Sequence, residues 1–167
     1  MRIRYNSPVV LTYAMAAAVV MLIDQISGSG FSVRNFAVPG NFTDVAPIGY
    51  VRLLTHVLGH ADWTHLLANF ALILLIGPIL EEKYDSWALL LMMVITALVT
   101  GVLNVLFLST GLMGASGIVF MMILLSSFTN IRSGEIPLTF VLVVVIYLTR
   151  EAVSAFAADS ISQFAHI

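Results

Sequence analysis

The sequence predicts an all-α membrane protein, a bundle of five transmembrane helices plus the start of a sixth, and three observations predict it. Of the 167 residues, 60% are apolar and only 10% charged, with a mean hydropathy of +1.02. Soluble domains run at roughly 45–50% apolar and about 25% charged, so a water-soluble globule of this size could not hide so much apolar surface. The apolar residues fall in long runs separated by short polar breaks, which is the pattern of membrane helices. Those runs lack the alternation of an outer-membrane barrel. The same composition excludes disorder, which needs low hydrophobicity and high charge. The absence of cysteine excludes disulfides, thiolate zinc sites and a cysteine nucleophile. A net charge of −2 without a basic cluster gives nucleic-acid binding no electrostatic support.

The first run, Pro8 to Ile23, follows Arg2 and Arg4. Its small residues Ala14, Ala16 and Ala18 lie inside the run, whereas a signal-peptide cleavage site belongs at the run's end; the expectation is a retained helix. The second run begins near Trp63 and reaches Leu80, where Glu81, Glu82, Lys83 and Asp85 stop it. A span needs about 20 residues, so this run qualifies if it extends upstream through His60. The third, Trp87 to Leu108, qualifies outright. A Ser109-Thr110-Gly111 break leads into the fourth, Leu112 to Phe128. The loop from Asn130 to Glu135 precedes a short fifth run, with Pro137 in its first turn, where proline is tolerated. A sixth run starts near Ile161, and the sequence stops at Ile167.

Placing Arg2 and Arg4 inside sets the orientation. Helices then alternate, with Lys83 and Arg132 inside and Arg34, Arg52 and Arg150 outside. The stretch from Gly28 to Arg52 lies outside, yet it carries Phe31, Phe36, Val38, Phe42 and Val45. A solvated linker has no use for those side chains, so residues 28–55 are expected to form a membrane-associated outer loop within one domain over residues 1–167.

Strongly polar groups inside a membrane are costly, and each is a functional candidate. The second run carries His56, His60, His65 and Asn69. His65 and Asn69 are four apart and share a helical face, whereas His60 and His65 are five apart and should diverge around the axis. A metal site is one reading of His56-x-x-x-His60. Val57 stands where HExxH needs its glutamate, and no membrane Asp or His offers an obvious third ligand. Another reading is that these groups satisfy one another and the backbone, which suits a single histidine better than the cluster. Gly114-Ala115-Ser116-Gly117, opening the fourth run, also has two readings: close helix packing, or a nucleophilic serine. On the alternating topology the second, fourth and sixth helices all descend from the outer side. Ser116 then lies about one turn below the outer surface at 1.5 Å per residue, at the depth of His65, Asn69 and His166.

That layer permits acyl transfer. Ser116 needs an adjacent base, which His166 can supply. The oxyanion needs donors, and the Ser116 N–H, the Asn69 amide and the His65 imidazole are suitable. Asp159 falls in the outer loop, so the arrangement reads as a Ser-His dyad, with no triad.

The run His60-Ala-Asp-Trp-Thr-His65-Leu-Leu-Ala-Asn69, then Gly114-Ala-Ser116-Gly117, then Ala165-His166, resembles the rhomboid intramembrane serine proteases. The resemblance covers nearly the whole chain in order, and the two motifs together are specific. It implies a rhomboid-like six-helix core, Ser116 as nucleophile, His166 as base, and His65 with Asn69 in the oxyanion hole. It places Arg52 and His56 where the outer loop meets the second helix, Glu81 where that helix ends inside, and Phe120 against the catalytic imidazole. Gly114 and Gly117 flank the serine, and His60 is expected to be structural or water-organising. The implied partners are transmembrane protein substrates, cut near their outer ends, and the lipid bilayer, with no cofactor and no metal. The implied location is a bacterial inner membrane, as an integral multi-pass protein with a cytoplasmic N-terminus.

Two departures stand out. The family's outer-loop Trp-Arg pair reads Val51-Arg52, and the family continues past its catalytic histidine with glycines and a full helix. Here seven residues, Ile161 to Ile167, cannot span a bilayer. The expectation is a domain truncated at its C-terminus, inactive and poorly stable until roughly 15 residues complete the helix. The competing readings are a rhomboid-like pseudoprotease that binds membrane helices without cleaving them, and a small transporter, which should show internal repeats and midplane charges that are not found. An aspartyl protease would need paired membrane aspartates, and Asp85 sits in a loop without a partner.

Overall fold

The computed structural model describes residues 5–28, 30–40, 47–107, 111–128 and 136–149. In chain order the helices are α1 (Pro8–Ser27), α2 (Phe31–Phe36), α3 (Pro47–Thr55) with a 3-10 turn at His56–Leu58, α4 (Trp63–Tyr84), α5 (Ser86–Phe107), α6 (Ser116–Phe128) and α7 (Leu138–Thr149). Among the described residues the one β feature is an isolated antiparallel bridge, Val38 to Leu112. Met1–Met122 form one compact unit, and Ile123–Ile167 form a second that holds α7 and the end of α6.

Among the described residues three helices are long and apolar enough to cross a membrane: α1 with 20 residues and α4 and α5 with 22 each. The helices α6 and α7 are apolar but shorter. Each long helix buries one stripe. On α5 it is Leu89, Met93, Ala97, Gly101 and Asn104, a spacing of one residue per turn. The remaining circumference is also apolar, with Leu91, Val94, Leu98 and Leu103 exposed, as suits a helix whose solvent is lipid. Helix α1 packs on α4, where the Tyr13 ring meets Phe70 at 5.1 Å and its hydroxyl donates to the Val57 carbonyl at 2.8 Å. Helix α3 lies on α5 at Gly101, where a Cβ would come within 2.7 Å of the Leu53 carbonyl oxygen.

Three boundaries differ from those expected. Helix α4 gains its length downstream, running through Glu81 to Tyr84. The Glu81 carboxylate does not stop the helix because it is spent elsewhere: it accepts the Val9 and Val10 N–H groups, each at 3.0 Å, and the Ser86 hydroxyl at 2.6 Å. Ser7, the α1 N-cap, has φ 55° and makes no side-chain cap, so Glu81 satisfies those open N–H groups from another helix. Upstream, α4 stops short of His60 because Asp62 is its N-cap, accepting the His65 N–H at 2.7 Å. Helix α6 begins at Ser116, with Leu112 drawn instead into the bridge with Val38. Within the 28–55 stretch, α2 and α3 are helices that the Gly- and Pro-rich composition had hidden.

Candidate functional site

The site is built from three pieces of chain. The 3-10 turn and the non-helical Gly59–Asp62 segment bring in His56 and His60, the first turns of α4 bring in His65 and Asn69, and the irregular 111–115 stretch delivers Ser116 as the first residue of α6. The Gly114 N–H donates to the His56 carbonyl at 3.0 Å, and the Ala115 N–H donates to His60 Nε2 at 3.3 Å. Gly114 has φ +132°, a backbone region that side chains disfavour. A Cβ there would lie 2.8 Å from His65 Cε1 and 3.0 Å from its Nε2. The Cε1–Nε2 end of the His65 imidazole therefore packs against the backbone two residues before Ser116, and only glycine admits it. Gly117 plays a similar part toward α5: its Cβ would meet Thr100 Cγ2 at 2.9 Å.

His60 does not diverge from His65. The two rings meet edge-on with centroids 5.1 Å apart, and His60 also meets Phe70 at 5.8 Å. An offset of five separates two side chains only along one continuous helix, and here α4 starts after its Asp62 cap, leaving His60 outside it. Because His60 Nε2 accepts a backbone N–H, its proton sits on Nδ1, which faces the Leu58 carbonyl at 3.4 Å. Burial, then the neighbouring His65, push the His60 pKa down to about 4, which fits a neutral ring. His56 is also buried, and burial lowers its pKa. Its Nδ1 faces the Arg52 carbonyl at 3.2 Å and its Nε2 the Thr100 hydroxyl at 3.3 Å.

Asn69 is fully buried on α4, one turn beyond His65. Neither its Nδ2 nor its Oδ1 has a hydrogen-bond partner among the described residues. An amide left this way costs free energy, and such groups in folded proteins call for an explanation.

The rhomboid domain family model matches residues 48–167, a stretch that holds every candidate residue. The chain belongs to the rhomboid family. No curated protein matches it.

In this rhomboid-family chain the structure gathers His56, His60, His65, Gly114 and Gly117 around the turn that leads into Ser116. Ser116 is half-buried, and Phe120 sits one turn further along α6, also half-buried. Arg52 belongs to α3 and donates from Nη2 to the Arg34 carbonyl of α2. Glu81 is apart from all of these, 16 positions along α4 from His65, or about 24 Å at 1.5 Å per residue. His166 lies outside the described residues. Sequence reasoning missed Asp62 and Thr100. Asp62 carried a usable signal, a capping carboxylate three residues ahead of His65 and just before an apolar run. Thr100 carried none, since a lone threonine in an apolar helix ordinarily bonds its own backbone, as Thr100 also does to the Thr96 carbonyl at 2.9 Å.

Proposed function

We propose that this protein is a multi-pass intramembrane serine endopeptidase, the activity that rhomboid-family members generally have. One observation carries the reading: the His65 imidazole rests on Gly114, two residues before Ser116, while one turn along α4 a buried Asn69 amide has no partner among the described residues. In the proposed reaction the Ser116 hydroxyl gives its proton to His166 and attacks the scissile carbonyl of a substrate's membrane helix. The Ser116 N–H, Asn69 and His65 stabilise the oxyanion. The protonated His166 then gives its proton to the departing amine, and water hydrolyses the acyl-enzyme. Arg52, His56, His60, Gly114, Gly117 and Phe120 support that layer. Residues 28–55 act as a membrane-associated outer loop of a single domain spanning residues 1–167, and the Arg2–Arg4 end faces the cytoplasm of a bacterial cell.

The test is reaction with a fluorophosphonate probe together with cleavage of a transmembrane reporter in proteoliposomes. Full-length wild-type protein should label at Ser116 and cut the reporter. Ser116→Ala should do neither while keeping its Tm, because a single hydroxyl is removed at a small-residue site. Cleavage by Ser116→Ala at the wild-type rate would sink the proposal. Reporter binding by wild-type protein without labelling or cleavage would favour a helix-binding pseudoprotease.

A further inference from the structure

The stretch that leads into Ser116 belongs to no helix, and Gly114 gives it a conformation few residues hold. What fixes it is a set of four hydrogen bonds to its own backbone. Two come from the chain just before α4, through the His56 carbonyl to Gly114 and His60 Nε2 to Ala115. The other two come from far away in sequence: the Val38 N–H donates to the Leu112 carbonyl at 2.9 Å, and the Leu112 N–H donates to the Val38 carbonyl at 3.0 Å. Val38 is fully buried, and Pro39 behind it favours the extended backbone the pair needs.

The Val38 segment is itself anchored at two points. At its start the Asp24 carboxylate, on the last turns of α1, accepts the Ser32 N–H of α2 at 2.6 Å. Further on, Arg52 of α3 donates to the Arg34 carbonyl. Helices α1 and α3 thus reach the 111–115 stretch through one residue of the 28–55 region.

We infer that the Val38–Leu112 backbone pair positions the turn that carries Ser116, making Val38 a positioning residue that acts through its main chain. The inference rests on the protease reading above. The His56 and His60 contacts pin only the second half of the turn, next to the serine. The Leu112 pair pins the first half and so fixes the angle at which the turn enters α6. Without it the Ser116 hydroxyl shifts against His65, and a displacement of about 1 Å in such a constellation costs on the order of 10²-fold in rate.

Val38→Pro removes the N–H and keeps the carbonyl. The preceding Ala37 has φ −66° and ψ 129°, a conformation a following proline accepts. We expect kcat to fall on the order of 10²-fold with KM nearly unchanged, while Val38→Ala, which keeps both backbone groups, holds kcat near the wild-type value. Equal losses in both variants would show that Val38 acts by packing, and wild-type turnover by Val38→Pro would show that the pair is idle. Either outcome overturns the inference.

A second variant does not depend on proline being tolerated. The chain has no cysteine, and residues that exchange both backbone bonds sit about 5.5 Å apart, within disulfide reach. Oxidised Val38→Cys/Leu112→Cys should cleave the reporter at the wild-type rate with a raised Tm, because the pair stays closed throughout turnover. Turnover lost on oxidation and regained on reduction would mean that the pair must open, and the inference fails. Wild-type protein run alongside decides the protease reading separately: a wild type that does not cleave removes that reading and this inference together, whereas a cleaving wild type leaves the variants to judge the pair alone.

Discussion

Helix α4 carries a buried polar group near each end, and the two are treated in opposite ways. At one end Glu81 is 4% exposed and accepts three hydrogen bonds, from Val9, Val10 and Ser86. At the other Asn69 is 0% exposed, and neither amide atom has a partner among the described residues. A satisfied buried carboxylate gives rigidity: it closes the open start of α1 and ties α1, α4 and α5 at one point. A buried amide that the described residues leave open gives no such return, and positions that break the rule of polar satisfaction are characteristically functional ones. The same helix therefore holds a structural polar site and a proposed reactive one, distinguished by their hydrogen bonds, since both groups are equally buried.

The largest effect expected from this contrast is on turnover. Asn69→Ala should lower kcat by about 10²–10³, the typical cost of one oxyanion donor, with KM nearly unchanged. The same variant should keep the wild-type Tm or exceed it, because no hydrogen bond to a described residue is lost. Steady-state kinetics on a transmembrane reporter and a thermal melt in the same detergent provide both numbers. A clear fall in Tm with unchanged kcat would make Asn69 a packing residue and erase the contrast.

Glu81→Ala should behave in the reverse sense. It strands the Val9 and Val10 N–H groups at the start of α1, and hydrogen bonds to a charged group are worth roughly 1.5–3 kcal/mol each. We expect a loss of about 3 kcal/mol, seen as a lower Tm, with kcat per folded molecule preserved. Glu81→Gln, which keeps an acceptor oxygen, should lose less. A kcat loss at unchanged Tm would tie the two ends of α4 together in catalysis and break the comparison.

Most of the helix positions were legible in the sequence, since a run such as Trp87 to Leu108 has no other use than burial in lipid; α5 spans Ser86–Phe107. The family was legible too, because His65, Asn69 and the Gly114–Gly117 motif keep a specific order and spacing. What could not be read were contacts made by the backbone or across distance. Glu81 looked like a helix stop because charges usually are; its partners Val9 and Val10 lie more than 70 positions away. Leu112 looked like part of a helix because apolar runs have no marker for the point where a chain turns extended, and its pairing with Val38 involves main-chain atoms alone. His60 was misplaced because periodicity says nothing about where a helix is interrupted.

His60 offers the smallest effect and the sharpest check on how the Ser116 end is held. Its Nε2 must stay unprotonated to accept the Ala115 N–H, and its pKa is lowered from 6.5 to about 4 by burial first and by His65 second. Above pH 6.5 the ring is neutral in both folded and unfolded chains, so it adds no pH dependence. Between pH 6.5 and about 4 the unfolded chain binds a proton that the folded one refuses, so stability falls as pH falls, and below about 4 the loss levels off. At pH 5 the expected loss is about 2 kcal/mol, at 1.36 kcal/mol per pH unit. His56 shifts in the same direction, which makes a single melt series ambiguous. His60→Gln resolves it: its side-chain oxygen accepts a hydrogen bond at every pH, so the slope of Tm against pH over this window should shrink, leaving the His56 share. A slope unchanged by His60→Gln would mean that the Ala115 N–H does not depend on this imidazole. The turn into Ser116 would then be held at Gly114 and Leu112 alone.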